Sequence, residues 1–264
     1  MQYVILTVVL VVLAIYLKSP EVKGRRSEQA VARKLEFKSF WKYGGKTLTN
    51  VYIPKESGGT TEIDVLYITS KGLFVLENKN YAGYIFGSES NNNWTVTLYA
   101  GKRSYSGKKV EKHQFYNPIW QNRSHIKHLK SFLNSDIKMF SFITFSDRGS
   151  LKDITVNSTD VYVCNHSKLS KVLNEVWESN PDVLNDKQVY KIYNKLEPLT
   201  KADKVAIQKH IGDIGNIQDK LSSADLCPLC GGKLVLRTAK KGSNIGNQFY
   251  GCSNFPNCRY TRSV

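Results

Sequence analysis

Two apolar runs around a tight turn signal confine the middle of this 264-residue chain to a buried hairpin. Ile63 to Thr69 and Leu73 to Lys79 are strand-length and rich in β-branched and aromatic residues, and they flank Ser70-Lys71-Gly72. A loop of Ser70-Lys71 sets Thr69 opposite Gly72 and Asp64 opposite Glu77. A three-residue loop shifts that register by one. Lys79 lies two residues beyond Glu77 and shares its face. The neighbours Ile63, Val65, Leu66, Val75 and Leu76 are apolar, so Asp64, Glu77 and Lys79 form a charged patch in or near a core.

Charges in such a place are costly unless they are paired or bound to metal. Two carboxylates about 5 Å apart across a strand pair raise the pKa of one of them. A buried salt bridge to Lys79 is one resolution. A hard divalent cation is the other, with Asp64 and Glu77 as ligands. Mg²⁺ suits them, because it binds through one or two carboxylates plus substrate phosphate, and Lys79 can then orient or help deprotonate an attacking water. Glu28 shares a helical face with Val31 and Leu35, which turns it toward the core; the alternative is an ordinary first-turn acid favoured by the helix dipole. Gln121 sits one turn into a helix opened by Asn117 as cap and Pro118 at its first position. It either hydrogen-bonds a phosphate or water, or is simply exposed.

The rest of the chain mixes helix and strand around one expected sheet. Helices are expected at Ser27 to Phe40, Pro118 to Leu133, 168–178 and 183–196. Strands are expected at Val51 to Pro54, Trp94 to Tyr99, Met139 to Phe145 and Val161 to Cys164. The fold class is therefore α/β or α+β. Near the C-terminus Cys227 and Cys230, then Cys252 and Cys258, follow the pattern C-x2-C, 21 residues, C-x5-C. That spacing suits a closed tetrahedral Cys₄ zinc site, structural rather than catalytic, which staples a module too short to fold on its own. Cys164 stands in an apolar strand and reads as a core residue.

The net charge of +16 points to a polyanion as partner, and it is concentrated. Residues 1–26 carry a net +3, residues 99–130 a net +7 and residues 226–264 a net +6. Within the second cluster Lys102, Arg103, Lys108 and Lys109 are candidate phosphate contacts. In the third, Arg237, Lys240, Lys241 and Arg259 interleave with Tyr250 and Tyr260, a pattern that suits single-stranded nucleic acid, while Phe255 is expected in the module's core and Phe249 is either a stacking face or core. The first cluster follows Tyr3 to Leu17, which is apolar apart from Thr7. With Met1 and Gln2 this run has 17 residues, the lower end of the ~17–25 that span a bilayer. No basic residue precedes it, and Ile15-Tyr16-Leu17-Lys18 is a poor cleavage site. An N-terminal transmembrane anchor is expected rather than a signal peptide, with the N-terminus outside and the rest cytoplasmic at the cell membrane.

The segment Glu62-Ile63-Asp64-Val65-Leu66-Tyr67-Ile68, then Lys71-Gly72-Leu73-Phe74-Val75-Leu76-Glu77-Asn78-Lys79, then Gly83-Tyr84-Ile85-Phe86-Gly87 and Trp94, resembles the nuclease-related domain, NERD. Asn117-Pro118 with Gln121 resembles that family's later motif. Gly24-Arg25-Arg26-Ser27-Glu28 resembles its opening Gly-x-x-Gly-Glu, with Ser27 in place of the second glycine. The resemblance implies a restriction-endonuclease-like mixed sheet flanked by helices and an Mg²⁺-dependent (endo)nuclease of the PD-(D/E)-x-K type. By it Asp64 and Glu77 hold the metal, Lys79 assists the water, and Glu28 and Gln121 complete the site. Cys227-Pro-x-Cys230-Gly-Gly and Phe249-Tyr250-Gly251-Cys252-Ser-x-Phe255-Pro256-x-Cys258 resemble the C4 zinc finger of type IA topoisomerases, which implies DNA binding.

The expected organisation is an anchor at 1–18, a nuclease-like core at 24–140 and an α/β extension at 141–197. A linker at 198–225 and the zinc finger at 226–264 follow. The expected function is a membrane-anchored, Mg²⁺-dependent nuclease acting on DNA, single strands included. A membrane-tethered DNA-binding protein without catalysis, or a nuclease acting on RNA, are the alternatives.

Overall fold

Helix α1, Pro20–Lys38, opens where Ser19 caps it by accepting from the Val22 N–H, with Pro20 at the first helical position. The computed structural model describes residues 19–56, 58–99, 110–200, 227, 233–239, 245–253, 255 and 259–263. The chain divides into two units, residues 1–201 and 202–264. In the first, α1 and a single π-helical turn, Ser39–Tyr43, lead into β1, Lys46–Pro54. Then come β2, Thr60–Thr69; β3, Gly72–Lys79; β4, Gly83–Ser88; β5, Asn93–Tyr99; and β6, Val110–Tyr116. Helix α2, Pro118–Leu133, is followed by β7, Met139–Phe145; β8, Gly149–Thr155; and β9, Val161–Asn165. Helices α3, Leu169–Glu178, and α4, Asp186–Leu196, with a 3₁₀ turn at Glu197–Thr200, complete it.

The main sheet runs β1-β2-β3-β7-β9. The first three strands pair antiparallel, and β7 and β9 are added parallel to β3. The β2–β3 hairpin has the two-residue loop and sets Thr69 opposite Gly72 and Val65 opposite Leu76. Gly72 has φ 121°, and a Cβ there would lie 2.3 Å from the Lys138 carbonyl oxygen, so only glycine fits this turn. Both faces of the sheet are apolar because both are covered. On one, Val31, Ala32 and Leu35 of α1 and Leu169, Leu173 and Val176 of α3 pack on Val65, Tyr67, Phe74, Leu76, Phe140, Phe142 and Cys164. On the other, Leu129 of α2 and Val189, Ile192 and Leu196 of α4 pack on Ile63, Leu66, Ile68, Leu73 and Val75.

A second sheet, β6-β5-β4-β8, replaces the single sheet expected from the sequence. It joins the first through aromatic contact. Trp94 of β5 stacks on Phe145 of β7 at 6.0 Å between ring centroids, and Phe115 of β6 meets both edge-on. Gly87 of β4 lies against that Trp94 ring, where a Cβ would approach to 2.1 Å. The loop from β4 to β5 is then fastened to the start of α2. Asn117 caps α2 by accepting from Ile119 N–H, and its amide donates to the carbonyls of Ser88, Glu89 and Asn91. Trp120 donates to the Glu89 carbonyl as well.

The expected membrane anchor is corrected. Among the described residues no helix is long and apolar enough to cross a membrane, and the run 1–18 lies outside them. Helix α1, which follows it, is amphipathic and seats its apolar stripe on the sheet. The transmembrane element, the membrane contact and the single-pass cell-membrane topology therefore form no part of the described structure. In the second unit β10, Leu234–Thr238; β11, Gln248–Cys252; and β12, Thr261–Ser263, form an antiparallel three-stranded ribbon.

Asn117 bonds four backbone groups at once, so Asn117→Ala should cost about 1–2 kcal/mol, chiefly the lost cap, since the Ser88 and Glu89 carbonyls keep Trp94 and Trp120 as donors. Urea unfolding of the full chain followed by tryptophan fluorescence measures this. A variant as stable as the parent would show that α2 is seated by its apolar face alone.

Candidate active site

Strand alternation on β3 turns Leu76 and Asn78 toward α1 and α3, and Glu77 and Lys79 toward α2. Glu77 is only 2% exposed. Its Oε1 lies 2.7 Å from Lys79 Nζ, and Lys79 also donates to Gln121 Oε1 of α2 at 2.9 Å. Its Oε2 lies 3.2 Å from His125 Nε2 of the same helix. His125 Nδ1 is 2.6 Å from Thr61 Oγ1 of β2. Asp64, also on β2, accepts from the Asn78 backbone N–H at 2.7 Å. Glu28, projecting from α1, accepts from Asn50 Nδ2 at 3.3 Å, and the same amide donates to Glu62 at 3.0 Å. Asn50 reaches both because it leaves the β1–β2 ladder at φ 53°.

The electrostatics separate the two central carboxylates. Burial drives the Asp64 carboxyl well above its ordinary pKa, and Glu77 and Glu28 push it further against the opposing pull of Lys79 and the Asn78 N–H. Burial acts on Glu77 in the same direction, but Lys79 and His125 outweigh it and hold Glu77 below the usual range. Burial opposes the charge on Lys79, yet Glu77 and Asp64 raise its pKa. Glu28 is raised, first by burial and then by Glu62 and Glu77, with Asn50 opposing. The result is a fixed Glu77–Lys79 ion pair beside a carboxyl that keeps its proton more readily than usual.

Glu77, Lys79 and Gln121 thus form one hydrogen-bonded chain, with Asp64 and Glu28 within electrostatic reach. Thr61, His125 and Asn78 join them without having been singled out in the sequence. His125 stands four residues after Gln121, the spacing of one helical face. The expected magnesium-dependent centre is corrected as well. Among the described residues no group of three or more His, Cys, Asp or Glu side chains is placed to hold a metal ion. Glu77 is instead hydrogen-bonded by Lys79 and His125, and Glu28 by Asn50. Of the expected nucleic-acid contacts, Lys102, Arg103, Lys108, Lys109, Lys240 and Lys241 lie outside the described residues, as do the zinc candidates Cys230 and Cys258.

In the ribbon, Cys227, Leu234, Cys252 and Tyr260 are buried. Tyr260 is 6% exposed and Phe255 57%, which reverses the expected roles. The Tyr260 carbonyl accepts from Cys252 N–H at 3.0 Å and so ties that residue to the buried end of β11. Phe255 instead faces out beneath the Arg237 guanidinium, 5.8 Å from its ring centroid. Tyr250 lies under Arg262 at 5.0 Å, and Arg259 is exposed.

A carboxyl whose pKa is raised on folding stabilises the fold below its unfolded pKa, about 4, and that contribution is lost as pH rises through the folded value. Asp64→Asn should therefore raise the melting temperature by a few degrees at pH 8 and by little at pH 4. Thermal melts across that range test it, and an equal shift at both ends would contradict the raised Asp64 pKa.

A family model described as nuclease-related domain matches residues 23–146. One described as topoisomerase DNA binding C4 zinc finger matches residues 224–264. An uncharacterized protein of Bacillus anthracis is 32% identical over 226 residues, which is 82% of this chain and 98% of that protein. DNA topoisomerase 1 of Methanocaldococcus jannaschii is 51% identical over 39 residues, 15% of this chain and 4% of that enzyme, so that likeness concerns a short segment. No solved structure is a significant match. The chain belongs to the nuclease-related domain family and carries a topoisomerase-type C4 zinc finger at residues 224–264.

Proposed function

We propose that the face carrying Asp64, Glu77, Lys79 and Gln121 hydrolyses phosphodiester bonds of nucleic acid, as a nuclease of the PD-(D/E)-x-K type. The observation that carries this reading is the Lys79 ammonium, fixed between Glu77 and Gln121 next to the Asp64 carboxyl, which burial makes harder to ionise. Lys79 orients a water toward the phosphate and stabilises the charge that develops on it. Gln121 keeps the ammonium in place and offers its amide to a phosphate oxygen. Glu28 adds a second acid on the α1 side of Asp64. The membrane tether is no part of this reading.

The finer cofactor reading concerns Asp64 and Glu77. Their carboxylate oxygens are hard donors that repel one another, and a divalent cation relieves that repulsion. Mg²⁺ at this pair would need substrate phosphate as a further ligand and would compete with Lys79 and His125 for Glu77; when bound it would supply polarisation of the phosphate and a more acidic water. The satisfied state of Glu77 favours a second reading, in which the pair is a structural salt bridge and the chain only binds nucleic acid.

The C-terminal unit is read as a structural zinc module held by Cys227, Cys230, Cys252 and Cys258. The buried Cys227 and Cys252 support it, since thiolates at this spacing suit a closed tetrahedral site. Nucleic-acid binding is assigned to Lys102, Arg103, Lys108 and Lys109 in the first unit. In the C-terminal unit it is assigned to Arg237, Lys240, Lys241, Tyr250 and Arg259. The organisation that goes with this is a nuclease core at 24–140 with its extension at 141–197, a linker at 198–225 and the finger at 226–264.

Plasmid, single-stranded DNA and RNA incubated with the full chain, with and without Mg²⁺, test the catalytic reading. Asp64→Ala and Lys79→Ala should each lower cleavage at least about a hundredfold while binding persists. Cleavage by the variants at the parent's rate would leave the salt-bridge reading. Elemental analysis should find one zinc per chain, and Cys252→Ser should remove most of it and weaken binding to single-stranded DNA. Full zinc content in that variant would refute the Cys₄ assignment.

A further inference from the structure

Glu77 is a buried carboxylate whose two oxygens have different donors, and only one of those donors lies on its own strand. Lys79, two residues along β3, takes Oε1 at 2.7 Å. His125, reaching across from α2, takes Oε2 at 3.2 Å. The other nitrogen of His125 is 2.6 Å from Thr61 Oγ1 on β2. Helix α2 therefore touches both members of the Glu-x-Lys pair one turn apart, through Gln121 on Lys79 and His125 on Glu77. Between these contacts Asn122 fixes the helix to the sheet by donating to the Val75 carbonyl at 2.8 Å and to Ser141 Oγ at 2.9 Å.

We propose that His125 is a positioning residue for the hydrolytic site, with Thr61 fixing its tautomer so that the Nε2 proton faces Glu77. An ionised carboxylate only accepts hydrogen bonds, so the nitrogen facing Glu77 must carry a proton. In the neutral ring Nδ1 then accepts, and the Thr61 hydroxyl is the donor. The order is Thr61 O–H to Nδ1, Nε2–H to Glu77 Oε2, and Lys79 N–H to Glu77 Oε1. This sets the plane of the Glu77 carboxylate and keeps the Lys79 ammonium aimed at the same side as Asp64. The arrangement matches the way a ring nitrogen facing a carboxylate is governed by the hydrogen bond at the other nitrogen. His125 and Thr61 are both buried, so neither is required to contact substrate.

The inference rests on the hydrolytic reading of Asp64, Glu77 and Lys79, and its test separates the two. His125→Leu removes the donor to Oε2 and should lower kcat about a hundredfold, the cost of misplacing a reacting group by about an ångström, with KM unchanged. His125→Gln places an amide N–H near the same position and should recover most of the rate. Thr61→Val should lose rate in the same way and Thr61→Ser should restore it. Nitrogen NMR of the parent full chain labelled on its histidines should show the His125 ring protonated at Nε2 alone. Thr61→Val should mix the tautomers.

Several outcomes overturn the proposal. They are wild-type rates in His125→Leu, no recovery in His125→Gln despite a parental melt, and a His125 ring carrying its proton at Nδ1 or at both nitrogens. A parent chain that cleaves nothing overturns the hydrolytic reading instead, and the NMR spectrum then decides the Thr61–His125–Glu77 geometry by itself.

Discussion

A charged carboxylate that is almost fully enclosed imposes the strictest condition in this fold. Glu77 has to find donors for both oxygens, because a buried charge left without them costs several kcal/mol. One donor comes from its own strand. The other lies on α2, so the sheet and the helix must be in register for Glu77 to be tolerated at all. The polar content of the interface between α2 and the sheet follows from this. Asn122 and His125 occupy positions where a helix packed on an apolar sheet would ordinarily carry leucine or isoleucine. The apolar contribution is displaced toward Leu129, beyond the polar turn.

The second sheet follows from the same condition. Helix α2 begins at Asn117, whose amide binds the loop between β4 and β5 at three carbonyls. That loop also carries Glu89, a second enclosed carboxylate. It accepts from the backbone N–H groups of Asn157 and Ser158, from the Ser158 hydroxyl and from Arg123 of α2. These donors outweigh its burial and hold its pKa down at about 2. Two buried acids thus grip α2, Glu89 through Arg123 and Glu77 through His125, two residues further on. The strands β4, β5 and β6 and the turn after β8 are the frame that brings Glu89 there.

The parts of this fold that are legible in the sequence are those governed by local chemistry. The Ser70-Lys71 loop dictates the β2–β3 register, and strand alternation alone puts Glu77 and Lys79 on one face. Asn117-Pro118 marks the start of α2 to the residue. Glu28, Val31 and Leu35 share a face by helical spacing alone. What is not legible depends on partners distant in the chain. Thr61 and His125 are ordinary residues until β2 and α2 are packed 64 positions apart. The second sheet escapes because β6 is polar along most of its length, with Glu111, Lys112, His113 and Gln114 all exposed, and so lacks an apolar alternation. In the ribbon a core of a few side chains is settled by which aromatic lies next to Cys252, and that is a matter of strand pairing rather than composition. The apolar run at 1–18 lies outside the described residues, among which no helix is long and apolar enough to cross a membrane.

Charge counting needs the same correction from structure. The segment 99–130 carries the largest positive excess in the sequence, yet its cations are not equivalent. Arg123 is paired with Glu89 and hydrogen-bonded to Ser158, so a phosphate would have to displace both. Elsewhere Lys79 is held by Glu77, Lys71 by Asp182 and Lys42 by Glu178. The Lys79 pair is enclosed and differs in kind from the exposed Lys42 pair, which contributes little in water. A cation fixed by a buried acid keeps its position when a polyanion approaches, whereas an exposed one exchanges its partner freely. Positioning for chemistry therefore belongs to Lys79, and attraction at a distance belongs to cations without such a partner.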